Sequence, residues 1–139
     1  MKNFMSEKEL AELAIKARNF SYSPYSGCKV GAALLSSSGK VFTGCNIENS
    51  SFSATVCAER TAFFKALSEG EKEFKMIAVA GGRSDNIEGE FPPCGVCRQV
   101  MAEFCSSEFV IILATGKDSY KKYFLSELLP QAFSPGYLK

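Results

Sequence analysis

The amino-acid sequence predicts an α/β fold, three layers of α/β/α built around a mixed five-stranded sheet. Three observations lead there. Helical periodicity alternates with short apolar runs in the order αββαβαβ(β). Two of those runs, Met76-Ile77-Ala78-Val79-Ala80 and Phe109-Val110-Ile111-Ile112-Leu113-Ala114, are apolar without a break, as strands covered on both faces are. A third, from Lys29 to Leu35, contains a glycine and two alanines, which asks for a helix or another backbone packed closely against it.

The elements follow in order. Ser6-Glu7-Lys8-Glu9 is a capping box ahead of Leu10, Leu13, Ala14, Ala17 and Phe20, so a helix is expected over about 6–20. Pro24 and the surrounding serines and Gly27 end it. Residues 29–35 and 41–45, joined by Ser37-Ser38-Gly39-Lys40, read as an antiparallel hairpin. A polar loop carries Asn46 and Glu48 two residues apart, a spacing that in extended chain points both side chains to one side; a solvated turn would account for it equally. A helix is expected from about Cys57 to Leu67, capped near Thr55 or Val56 and stopped at Gly70. After the strand at 76–80 and a polar loop over 83–91, Pro93 stands at the first position of a helix running to about Cys105. The strand at 109–114 turns back into a short edge strand at 119–124, and Ser126-Glu127-Leu128-Leu129 makes at most one helical turn.

Composition narrows the function classes. A chain of 139 residues fits a single domain, 1–139, and a net charge of +1 offers nothing to a polynucleotide or an anionic membrane, so no nucleic acid and no membrane is expected as partner. No run approaches the ~20 apolar residues of a membrane span, and Met1 to Ser6 has no signal-peptide core, so a cytoplasmic location is expected. Six cysteines then read as thiols and metal ligands rather than a disulfide framework. The chain has no histidine, which removes Cys-His and Ser-His nucleophile pairs and the usual neutral-pH acid/base.

Cys57-Ala58-Glu59-Arg60 and Pro93-Cys94-Gly95-Val96-Cys97 together hold three thiols and a carboxylate, each half at the start of an expected helix. These are the parts of a three-cysteine zinc site with a fourth position open for water. The Cys-x-x-Cys pair alone also allows a redox motif, a structural zinc half-site or buried thiols. Three thiolates around Zn²⁺ leave a net negative charge, which the two helix N-termini and a hydrogen bond from Arg60 to a ligand sulfur would offset. An exposed helix arginine is the alternative for Arg60, and an acid favouring the helix dipole the alternative for Glu59. Read functionally, Glu59 stands beside the metal-bound water and moves its proton.

Asn46-Ile47-Glu48-Asn49-Ser50-Ser51-Phe52, Thr55-Val56-Cys57-Ala58-Glu59-Arg60-Thr61-Ala62 and Pro93-Cys94-Gly95-Val96-Cys97-Arg98-Gln99-Val100 closely resemble the small, homotetrameric cytidine deaminases. The likeness extends from Pro24-Tyr25-Ser26 to Leu128-Leu129-Pro130 and Phe133, nearly the whole chain. It implies a cytidine deaminase-like fold and one Zn²⁺ per chain held by Cys57, Cys94 and Cys97. It further implies hydrolysis of cytidine and 2′-deoxycytidine to the uridines and ammonia, in which hydroxide formed at the metal attacks C4 and Glu59 shuttles the proton. Asn46 and Glu48 match the pair that binds the ribose hydroxyls of the nucleoside, the backbone at Ala58 contacts the base edge, and Phe133 completes a neighbouring subunit's pocket in a homotetramer. Such enzymes serve pyrimidine salvage.

One position departs. Where the family has an aromatic after Pro-Tyr-Ser-x, this chain has Gly27-Cys28. Either Phe20 or Tyr25 takes over the packing on the base, or the pocket is roomier. Cys28, Cys45 and Cys105 read as plain buried thiols. A deaminase of another aminopyrimidine, such as a nucleoside antibiotic, and a purely structural zinc module are the competing readings.

Overall fold

A computed structural model describes residues 5–83, 85–87 and 89–139. The capping box forms as its residues require: the Ser6 hydroxyl accepts from the Glu9 amide at 3.1 Å, and the Glu9 carboxylate accepts from the Ser6 amide at 3.4 Å. Helix α1 covers Glu7–Ala17, and the expected last turn tightens into a 3₁₀ turn at Arg18–Phe20. Strands β1 (Lys29–Ser36) and β2 (Val41–Cys45) form the hairpin, with Gly39 at a φ of 96° in its turn. Helix α2 is Ala58–Ser68, strand β3 is Phe74–Gly82 and helix α3 is Gly95–Phe104. Strands β4 (Val110–Gly116) and β5 (Ser119–Phe124) lead into a single turn, α4 (Leu125–Leu128).

Two boundaries differ from the sequence expectation in a way that matters. The cap of α2 is Cys57 itself rather than Thr55 or Val56, and the cap of α3 is Cys94, which leaves Pro93 just outside the helix. A thiol is not among the usual capping groups, so helix-start signals placed each boundary a residue or two early. Strand β3 is longer than 76–80 because it pairs with β1 along its whole length, from Lys29 opposite Gly82 to Ser36 opposite Phe74. That pairing recruits ends that are polar or glycine and give no apolar signal.

The five strands lie in the order β2-β1-β3-β4-β5, with β3 and β4 parallel across the α3 crossover and the other pairs antiparallel. Side chains alternate between the faces. Ala33, Leu35, Ala78, Ala80, Ile112 and Ala114 receive Leu10, Ala11 and Ala14 of α1. Ala32, Leu34, Ile77, Val79, Ile111 and Leu113 receive Ala58, Ala62 and Phe63 of α2 and Cys97 and Met101 of α3. This is the three-layer arrangement expected.

Two glycines set how closely the helices approach. A Cβ on Gly31 would lie 2.7 Å from the Arg18 amide nitrogen, and one on Gly44 would lie 2.5 Å from the Ala58 carbonyl oxygen and 2.6 Å from the Ala62 nitrogen. The expected close contact on β1 is therefore α1 seated on Gly31, and β2 has its own counterpart under α2. At the same end of the sheet Arg18, 4% exposed, donates from Nε to the Lys29 carbonyl (2.9 Å) and from Nη2 to the Gly82 carbonyl (3.2 Å). It thereby ties the start of β1 to the end of β3.

Candidate active site

Cys57 and Cys94 occupy the cap positions of α2 and α3, so both residues stand at the positive end of a helix, and of the two only the Cys94 thiol makes a capping bond. Cys94 Sγ accepts from the Cys97 amide at 3.5 Å, as a capping oxygen would, and Cys97 lies one turn inside α3. The three sulfurs stand within 4.8 Å of one another, with Cys57 to Cys94 at 3.6 Å and Cys94 to Cys97 at 3.4 Å. Tetrahedral Zn–S bonds of about 2.3 Å place sulfurs about 3.8 Å apart, so the donor set fits zinc with little movement. Among the described residues it supplies three soft ligands and no fourth.

The electrostatics point the same way. Cys57 is held down at about 5, chiefly by the hydrogen bond from the Cys97 thiol and further by Arg60, while Cys97 is pushed up as the proton-bearing partner of that pair. Arg60 Nη2 donates to Cys57 Sγ at 3.5 Å, as its sequence position led one to expect. Glu59 is 3% exposed, and burial pushes its carboxyl up to about 7, with the negative charge of Cys57 adding to the effect. Its Oε1 is buried without a hydrogen-bond partner. A carboxyl poised near neutrality, with a free oxygen beside three thiols, is equipped to take and give a proton.

A pocket of about 210 Å³ opens on these groups, and Cys57, Ala58, Glu59 and Cys94 line it together with Asn46, Glu48 and Cys28. Asn46 and Glu48 thus reach the site, yet their hydrogen bonds have a second task. Asn46 accepts from the Val30 amide (3.0 Å) and the Ser21 hydroxyl (2.5 Å) and donates to the Cys28 carbonyl (2.8 Å). Glu48 accepts from the amides of Tyr25 and Ser26 and from the Ser26 hydroxyl, which holds its carboxyl below its ordinary value. Both residues brace residues 21–30 into a wall of the pocket. A larger hollow of about 550 Å³ beside the end of α3 holds none of these residues.

Phe133 is not among the lining residues; it is 56% exposed, stacks on Tyr137 at 5.5 Å and accepts through its carbonyl from Gln99. Neither Phe20 nor Tyr25 moves into the place left by Cys28: they are 80% and 55% exposed and absent from the lining. Cys28, Cys45 and Cys105 are half-buried rather than buried, because each lies at the margin of a layer. Cys45 Sγ donates to the Phe20 carbonyl, and burial pushes Cys105 up to about 12. The sequence reading missed Phe91, Pro92, Val30, Thr55 and Val56, which also line the pocket. The only signal for Phe91 was an aromatic closing a polar loop two residues before Pro93.

Fold and site define a zinc protein of the mixed α/β/α class with a buried carboxyl in the pocket of its three thiols. Residues 5–113 match the family model described as the cytidine and deoxycytidylate deaminase zinc-binding region. The chain is 50% identical over 128 residues to a cytidine deaminase of Sporosarcina psychrophila, a match covering 92% of this chain and 90% of that one. It is 33% identical over 109 residues to a blasticidin-S deaminase of Bacillus cereus, covering 76% of each. The crystal structure of a cytidine deaminase from Burkholderia pseudomallei superposes with a TM-score of 0.85 at 44% identity, covering 93% of this chain and all of that one. The chain belongs to the cytidine and deoxycytidylate deaminase family. Zinc is the ion its three thiols are built to hold.

Proposed function

We propose that this chain catalyses the hydrolytic deamination of cytidine and 2′-deoxycytidine to uridine and 2′-deoxyuridine with release of ammonia. The observation that carries the reading is Glu59, a buried carboxyl with a free Oε1, in one pocket with the thiol ligands and with Asn46 and Glu48. Zinc, when held by Cys57, Cys94 and Cys97, supplies the positive charge that makes a water a nucleophile near neutral pH. Glu59 takes one proton of that water on its carboxylate and delivers it to N3 of the pyrimidine, then takes the second from the hydroxyl added at C4 and delivers it to the amino group, which leaves as ammonia. Arg60, donating to Cys57 Sγ, draws charge from the thiolate set and so keeps the centre electrophilic. The backbone at Ala58, the first residue of α2, meets the base edge. Asn46 and Glu48 meet the ribose hydroxyls while holding the 21–30 wall in place.

The exposed Phe133 is supported as a residue given to a neighbouring copy's pocket in a homotetramer, since within its own chain it stands clear of the site. Residues 1–139 form one catalytic domain in this reading, acting in cytoplasmic pyrimidine salvage. Among the described residues no helix is long and apolar enough to cross a membrane.

Ammonia release from cytidine, deoxycytidine, blasticidin S and adenosine by zinc-loaded protein tests the assignment. Turnover of the first two is expected. Glu59→Gln should keep about one zinc per chain and lose turnover by about 10²-fold or more. A Gln variant that turns over cytidine within about tenfold of wild type refutes the assigned role.

A further inference from the structure

The pocket must hold a flat pyrimidine as well as its edge. Glu59 and the thiols address the amino-bearing edge, and Asn46 and Glu48 address the sugar, but a ring also needs an apolar surface against its face. Of the lining side chains only Phe91 is aromatic; Val30, Val56, Ala58, Pro92 and the small thiol of Cys28 make up the apolar remainder.

The position of Phe91 is fixed from two sides. Its ring is seated on the backbone of Gly81, where a Cβ would lie 2.5 Å from Cδ1 and clash with the neighbouring ring carbon as well, so any other residue at 81 would push the ring away. It also packs against the core beneath α2 and α3. Along the chain, Phe91-Pro92-Pro93-Cys94 links it to a metal ligand through two prolines, each with φ set near −65°, and a residue before proline is itself restricted. The ring is therefore held at a set offset from Cys94.

We propose that Phe91 is the base-positioning residue of this enzyme: its ring, seated on Gly81 and tied to Cys94 through Pro92 and Pro93, is the face on which the pyrimidine lies. This rests on the deaminase reading above. It gives the pocket the aromatic surface that Cys28, Phe20 and Tyr25 do not supply. Phe91 takes no part in proton transfer, so it acts on binding.

The test compares zinc-loaded wild type, Phe91→Leu and Phe91→Tyr for cytidine turnover, inhibition by uridine and zinc content. Leucine keeps most of the apolar volume but cannot stack; tyrosine keeps the ring. For Phe91→Leu, KM for cytidine and the inhibition constant of uridine should rise together by about tenfold, with kcat within about threefold and zinc per chain unchanged. Phe91→Tyr should stay within about twofold of wild type in both constants. Wild-type binding constants in Phe91→Leu overturn the proposal, and so does a loss confined to kcat and zinc, which marks a structural role only. A wild-type protein that releases no ammonia from cytidine refutes the activity itself, and this assignment with it.

Discussion

Gly44 is the point where fold and chemistry can be separated by one methyl group. In Gly44→Ala the new Cβ would stand 2.5 Å from the Ala58 carbonyl and 2.6 Å from the Ala62 nitrogen, both backbone atoms that no rotamer can move. Reaching an ordinary van der Waals distance needs α2 to withdraw by about 0.9 Å, a gap that forfeits a quarter to a half of the dispersion contact along that side of the helix. Overpacking of this kind costs about 1–3 kcal/mol, and a clash with backbone on both sides of one turn belongs near 3. Residue 44 lies directly beneath Ala58, so the displacement carries Cys57 and Glu59 away from Cys94 and from the wall held by Asn46. A misplacement approaching 1 Å costs about 10²-fold in rate. Gly31→Ala is the control on the opposite face, where a Cβ would crowd the Ala14 carbonyl of α1 more tightly than either backbone contact at Gly44. Urea melts of the zinc-loaded proteins should show a loss for Gly31→Ala at least as large as for Gly44→Ala, and cytidine turnover should fall about a hundredfold only in Gly44→Ala. Equal effects on turnover from the two alanines, or wild-type stability of Gly44→Ala, would refute the reasoning.

Three further outcomes follow from the same geometry. Arg60→Gln removes the donor to Cys57 Sγ and leaves the thiolate set more negative, so kcat should fall by about tenfold while zinc is retained, with the kcat/KM–pH profile moving upward in pH. In metal-free protein Glu59 has a folded value of about 7 against an ordinary 4.5, so its contribution is present below about 4.5 and is lost as pH rises through about 7. That amounts to about 3 kcal/mol; Cys57, lowered to about 5, acts in the opposite sense, but it is common to wild type and Glu59→Gln. The difference in Tm between those two apo proteins should therefore shift by about 10 °C in favour of Gln between pH 4 and pH 8, and a flat difference would contradict the burial of Glu59. Arg18→Met should unpair the buried Gly82 carbonyl and the part-buried Lys29 carbonyl and cost about 3 kcal/mol in chemical denaturation.

What the sequence made legible were features carried by local spacing. The unbroken apolar runs located β3 and β4, the capping box located α1, and the positions of Cys57, Glu59, Cys94 and Cys97 relative to expected helix starts located the metal centre. Arg60 and its sulfur partner are three residues apart, within the reach of a helix turn, so that bond was legible too. The features it did not show depend on contacts distant in sequence. Asn46 reads as a ligand residue from its spacing to Glu48, but its bonds to Cys28 and Val30 span 18 and 16 residues and make it a brace as well. Phe91 reads as the end of a loop until β3 puts Gly81 beneath it. The half-exposure of Cys28, Cys45 and Cys105 likewise reflects where the layers end, which residue type alone does not encode.

The two displaced helix boundaries explain how a site with three negative ligands can work without a histidine. A capping position and a metal-ligand position impose the same demand, an electron-rich side-chain atom facing the free N–H groups of a helix start. By filling both caps with cysteine, the chain places Cys57 and Cys94 where each helix end contributes about half a positive charge. Arg60 adds a hydrogen bond to one thiolate, and the remaining negative charge falls on Glu59, which burial already favours in its protonated form. Burial raises the carboxyl towards neutrality and the charge of Cys57 adds to it, so replacing Cys57 with a neutral ligand would alter the acid/base group along with the metal.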